Sequence, residues 1–202
     1  SVDSTGSINT TAGISIISWT SLASGSNYTI AHGLSAVPAM IIMKGRHESN
    51  SWQVYHHKNT SAPETDYLDL STTDATADYP VWNDTAPTSS VFSCGTWSGF
   101  DDGEAMIAYC FAEKKGYSKF GSYTGNGSAD GTFVYTGFSP AVVMIKLSSV
   151  SGENWYMFDN KRDTDNVMTQ ILYPNLSNAE ATGTTNIDFL SNGFKLRNAG
   201  DF

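Results

Sequence analysis

The sequence predicts an all-β protein made of two similar β-sandwich units in tandem, jelly-roll-like and related by internal duplication, with a repeat offset of about 103 residues. Two observations lead there. Short runs rich in β-branched and aromatic residues recur between Gly, Pro, Ser and Asn punctuation, and no stretch sustains a helical period. The chain also aligns with itself: Gly13-Ile14-Ser15 with Gly116-Tyr117-Ser118, Gly33-Leu34 with Gly137-Phe138, and Pro38-Ala39-Met40-Ile41 with Pro140-Ala141-Val142-Val143. Trp52-Gln53-Val54-Tyr55 falls on Trp155-Tyr156-Met157-Phe158, and Phe92-Ser93 on Phe194-Lys195.

The predicted strands of the first unit cover residues 13–20, 27–30, 39–44, 51–57, 67–70, 90–94 and 105–112. Those of the second cover 116–123, 132–135, 141–147, 154–159, 169–173 and 193–197. Residues 39–43 are apolar at every position, which fits a strand central in its sheet. Period-two alternation puts Trp52, Val54 and His56 on one face and Gln53 and Tyr55 on the other; because Trp155 and Met157 repeat the first set, that face is expected to be the core. Residues 164–173 and 175–181 hold at most a helical turn.

Residues 1–12 read as an N-terminal segment belonging to a preceding unit, 13–114 as the first sandwich and 115–202 as the second. The second unit lacks a counterpart to the first unit's closing strand at 105–112, so the vacant sheet edge is expected to be filled by strand addition from a partner copy, by residues 2–11, or by residues native to a longer chain.

Composition limits function. Net charge is −9, with only 11 Lys and Arg and no basic cluster beyond pairs, which argues against nucleic acid. No run of eighteen apolar residues predicts a membrane span, and the N-terminus lacks signal-peptide character. Cys94 and Cys110 each lie in an apolar run and read either as buried free thiols or as a disulfide.

Catalytic signals are sparse. His56 and His57 point to opposite strand faces and so do not chelate one metal, and the second unit has Asp159-Asn160 there. His32, replaced by Thr136 in the repeat, reads as a turn residue, and His47 stands alone. Asp101, Asp102 and Glu104 are weak Ca²⁺ candidates without recognisable ligand spacing. Residues 125–131 resemble a phosphate loop only superficially and read as a hairpin connection. The Asn-x-Ser/Thr triplets at Asn9, Asn27, Asn59, Asn83, Asn126 and Asn175 are at the level of chance in so Asn/Ser/Thr-rich a chain. No cofactor is expected. Tyr79, Trp82 and Trp97 fall in the polar stretch 71–103, and the second unit does not repeat them; they are the candidate glycan-stacking residues, with loop anchoring as the alternative.

Several passages resemble a repeated domain of tail-fibre and other virion proteins of tailed phages, many of them marine. They include Ala31-His32-Gly33-Leu34, Trp52-Gln53-Val54-Tyr55-His56, Val81-Trp82-Asn83-Asp84-Thr85-Ala86-Pro87, Gly116-Tyr117-Ser118-Lys119-Phe120-Gly121-Ser122-Tyr123, and Ile187-Asp188-Phe189-Leu190-Ser191-Asn192-Gly193-Phe194. The resemblance implies a virion structural module made in the host cytoplasm, homo-oligomeric, associated with other virion proteins and attached to host-surface glycan. A capsid decoration or head-fibre role is the alternative, and a polysaccharide depolymerase a weaker one. The resemblance brings no catalytic residues with it.

Overall fold

A computed structural model describes residues 1–22, 25–47, 49–95 and 102–200, and among these the chain is all-β with no helix. It divides into two compact units. The first comprises Ser1–Asp69, Thr76–Lys114 and Ser118–Gly121; the second comprises Leu70–Ala75, Lys115–Tyr117 and Ser122–Phe202.

The first unit holds β1 (Ser4–Asn9), β2 (Ile14–Thr20), β3 (Tyr28–Ala31), β4 (Met40–Gly45), β5 (Gln53–His56), β6 (Asp66–Asp69), β7 (Ala77–Asp78), β8 (Val91–Cys94) and β9 (Ala105–Phe111). Seven of them form one sheet in the order β1-β2-β9-β4-β5-β6-β7, and β3 pairs with β8 in a second. β4 is central, as its uniformly apolar sequence predicts, between β9 and β5. The core lies between the two sheets: Ile30, Phe92 and Cys94 from the ribbon pack with Ile17, Trp19, Ile41, Met43, Tyr55, Met106 and Ala108. Both cysteines are free and buried, so the disulfide alternative is not realised.

The second unit holds β10 (Phe133–Tyr135), β11 (Val142–Lys146), β12 (Trp155–Asp159), β13 (Met168–Ile171), β14 (Ala181–Leu190) and β15 (Gly193–Leu196). A four-stranded sheet runs β10-β15-β14-β13, and a bridge between Met157 and Leu172 links the β11–β12 hairpin to it. Val143, Ile145, Tyr156, Phe158, Ile187 and Phe194 fill its core.

Residues matched in sequence pair in matching register. Met40 faces His56 and Ile41 faces Tyr55, as Val142 faces Asp159 and Val143 faces Phe158. Ile30 faces Phe92 and Val134 faces Phe194. The strand ends close alike: His57 N–H donates to Ala39 C=O at 2.9 Å, and Asn160 N–H to Ala141 C=O at 3.1 Å. Each hairpin loop is tied by a lysine, Lys44 to Asn50 C=O at 2.6 Å and Lys146 to Glu153 C=O at 2.8 Å.

Four expectations are corrected. Residues 1–12 are not a separate segment: β1 pairs along its whole length with β2, and Val2 N–H bonds Thr29 C=O, so the edge of the first sheet needs them. Residues 116–123 form no named strand; β9, the strand that holds β2 in the first unit, has no counterpart among the described residues of the second. Residues 181–190, unread in the sequence, form the longest strand. The hairpins turn Tyr55 and Phe158 into the main cores rather than the expected face, although Val54 and Trp155 on that expected face are buried as well. Trp52 is half-buried on the opposite face of its sheet, against Tyr109 at 6.1 Å and under the Lys44 ammonium at 5.8 Å.

Candidate functional site

The aromatic residues expected to meet a glycan do not share one exposed surface. Val81 and Trp82 pack into the first core, with Trp82 only 1 % exposed. Its indole N–H donates to Asp66 C=O at 3.1 Å and its ring meets Tyr55 edge-on at 5.7 Å. A ring with both faces covered has none left for a sugar, so Trp82 anchors the loop. Tyr79 is exposed, and Trp97 lies outside the described residues.

Among the described residues no group of three or more His, Cys, Asp and Glu could hold a metal ion. Asp102 is exposed, whereas Glu104 is buried, its N–H bonded to Ser21 Oγ at 2.9 Å and its carboxyl packed against Gly45. Asp101 lies outside the described residues.

His32, His56 and His57 serve the fold. His32 is fully buried at the β3 turn, where Nδ1 accepts the Leu34 N–H at 3.2 Å. That bond assigns the proton to Nε2, which donates to Thr88 C=O at 3.1 Å, and burial lowers the ring's pKa against the opposing Thr88 bond. Thr136 does the same work in the second unit, its hydroxyl meeting the Phe138 N–H at 3.4 Å. His56 Nδ1 accepts the Lys58 N–H at 3.2 Å, as Asp159 Oδ1 accepts the Lys161 N–H at 2.9 Å. Both side chains are acceptors at a strand end, which explains how imidazole and carboxylate alternate there.

His56 and His57 also receive the segment Ser118–Gly121. His57 Nε2 lies 3.1 Å from Phe120 C=O, the Phe120 N–H donates to Glu113 at 2.9 Å, and the Phe120 ring contacts Phe111 and His56. Burial, followed by the His57 charge, outweighs the attraction of Glu113 and brings His56 down to about 4. Burial pushes the Glu113 carboxyl up, but the Phe120 N–H and Lys119 prevail and hold it below its ordinary value.

The second unit contains a cleft of about 350 Å³ that no sequence pattern signalled. Ser139, Asn160, Thr164 and Asp165 bring hydroxyl, amide and carboxylate groups to it, beside the ring of Phe189. The turn after β12 shapes it. Asp159 accepts the Lys161 and Arg162 N–H groups, and Asp163 accepts those of Thr169 and Gln170. Asn166 is used up clamping β14, donating to Phe189 C=O at 2.8 Å and accepting its N–H at 2.9 Å. Asn160, Thr164 and Asp165 remain exposed.

A family model described as a domain of unknown function, DUF7483, matches residues 1–201. The chain belongs to the DUF7483 family. The DUF7483 match spans both units, so neither unit by itself accounts for it. No curated protein and no solved structure matches the chain.

Proposed function

We propose that this chain is a non-catalytic structural module of a tailed-phage virion, made in the host cytoplasm, part of a tail fibre or similar homo-oligomeric appendage that touches host-surface glycan. We propose further that its two units descend from one duplicated β unit. The observation that carries the first reading is how the residues of the phage-like motifs are employed. His32 closes a turn, Trp82 fills a core, Phe120 docks on the first sheet, and Asp188 pairs with Arg197 at 2.5 Å. Residues spent on turns, cores and ion pairs between strands make a scaffold, and their recurrence then reflects a shape rather than a reaction. The equal registers of the two hairpins support the duplication.

The glycan part of the reading rests on the second unit's cleft, where amide, hydroxyl and carboxylate groups lie beside an aromatic ring. Immunogold labelling of virions with antibody to this chain should mark the tail appendage. Label on the head shell would favour the capsid-decoration reading, and unlabelled virions would overturn both. On a glycan array, Asp165→Ala and Asn160→Ala should weaken binding by about tenfold or more with the melting temperature unchanged. Glycan cleavage in the same assay would point instead to a depolymerase.

A further inference from the structure

We propose that the outer face of the β10–β15 pair in the second unit is a stacking platform for an uncharged oligosaccharide, with one pyranose ring on Phe133, the next on Tyr135, and their hydroxyls held by the Asp130–Lys195 ion pair. This rests on the glycan reading above but uses a surface other than the cleft. The two units differ there. β10 pairs with β15 as β3 pairs with β8, and on the inner side Val134 faces Phe194 as Ile30 faces Phe92. On the outer side the first unit carries Thr29 and Ala31 across from Ser93 and Val91, whereas the second carries Phe133 and Tyr135 across from Lys195 and Gly193. Ala31 is exposed, so this face is open in both units. The strand pair therefore folds without aromatic rings on it, and those of the second unit are not a demand of the architecture.

Phe133 is 44 % exposed and Tyr135 67 %. Two residues apart on one strand, they share a face and stand about 6.6 Å apart along the backbone. Neighbouring sugar rings of one chain can lie one on each. Gly193 makes room for the first, since the Phe133 ring passes 3.1 Å from where a Cβ on that glycine would stand. A pyranose with equatorial substituents presents its axial C–H groups to such rings, whose π faces are negative.

The polar groups beside the rings suit hydroxyls. The Lys195 ammonium, directly across from Phe133, lies 2.5 Å from the exposed Asp130 Oδ1, and Arg197 lies 3.8 Å from the same oxygen. A carboxylate and an ammonium side by side offer vicinal hydroxyls an acceptor and a donor, both charge-assisted. Arg197 spends Nε and Nη2 on Asp188 Oδ2 alone, which leaves the buried Oδ1 without a hydrogen-bond partner among the described residues. A ligand hydroxyl that draws Arg197 toward Asp130 supplies that donor. Two cations and two carboxylates balance, so the platform has no net charge with which to hold a phosphate backbone or a polyuronate. A stable protein interface takes roughly 20–30 residues a side, many more than this patch provides.

The test compares the full chain with a double variant, Phe133→Thr with Tyr135→Ala, on an array of neutral oligosaccharides. The variant gives the second unit the residues that already fold in the first, Thr29 and Ala31. A loss of binding by about tenfold or more at unchanged melting temperature is expected. Tyr135→Phe should keep the binding, and Asp130→Ala should weaken it. Undiminished binding by the double variant would overturn the platform, and its loss in Asn160→Ala would then leave the cleft as the glycan site. Binding lost in the double variant but intact in Asn160→Ala supports the platform and removes the cleft. A parent chain that prefers oligothymidylate or a polyuronate to every neutral sugar would overturn the proposal, and one that binds no glycan would overturn both readings.

Discussion

At the scale of single residues, polar side chains in this protein mostly complete backbone hydrogen bonds. His32 shows it best: the fully buried ring spans Leu34 N–H and Thr88 C=O, so both orphan groups lose their partner together if it is removed. His32→Leu should destabilise the first unit by about 2–4 kcal/mol in urea unfolding. His32→Thr should lose less, since Thr136 meets the equivalent N–H in the second unit. Trp82→Ala should cost roughly 3–5 kcal/mol and leave glycan binding unchanged, because the indole is core rather than contact surface. His56 gives a pH dependence. Folding holds its ring at about 4 against an ordinary 6.5, so the unfolded chain takes the proton first as pH falls. Its contribution is complete above about pH 6.5, declines between there and pH 4, and amounts to on the order of 2 kcal/mol after allowance for the ring's residual exposure. Stability of His56→Gln across that window should be flatter than that of the parent. Turn chemistry of this kind was legible in the sequence at His32. The acceptor role shared by His56 and Asp159 was not, because nothing in either side chain's type announces which backbone N–H it will meet.

At the scale of elements, partners decide which segments become strands. Residues 4–9 are polar and mostly exposed, yet they form β1 because the outer edge of β2 is there to pair with. Residues 116–123 carry a good strand sequence but no strand forms, and Ser118–Gly121 instead docks on the first unit through Phe120. Glu113→Gln weakens that dock by removing the charge that Lys119 and the Phe120 N–H share. Faster amide exchange at Phe120, with β9 unaffected, is the expected result. In the second unit β14 and β15 are tied by Arg197, which meets the nearly buried Asp188. Arg197→Ala leaves that carboxylate without its cation and should cost about 3 kcal/mol, much of it recovered by adding Asp188→Asn. Gly33 shows a further constraint at this level. Its φ of +70° strains any residue that carries a Cβ at the turn after β3, while the Ile8 methyl beside it can move aside.

At the scale of the whole molecule, both thiols belong to the first unit's core, and burial pushes Cys110 up to about 12 and Cys94 higher still. Thiol labelling should therefore be negligible in native buffer, complete in denaturant, and a reporter of the first unit's unfolding. By itself the sequence determined the all-β class, the central place of β4 and the matching of the two hairpins, because β-branched runs and turn residues act through local sterics. Tertiary structure alone decided which face of each hairpin is core. The alternation of Trp52-Gln53-Val54-Tyr55 offers apolar groups on both faces, and only the covering ribbon β3–β8 makes Tyr55 the inner one. It decided the fate of Trp82 for the same reason, since an aromatic ring in a polar loop is surface or core according to what folds over it. The cleft beside Phe189 was beyond reach too: it joins residues from the turns around 139 and 160–166 to the end of β14, and no local pattern encodes a meeting of distant segments.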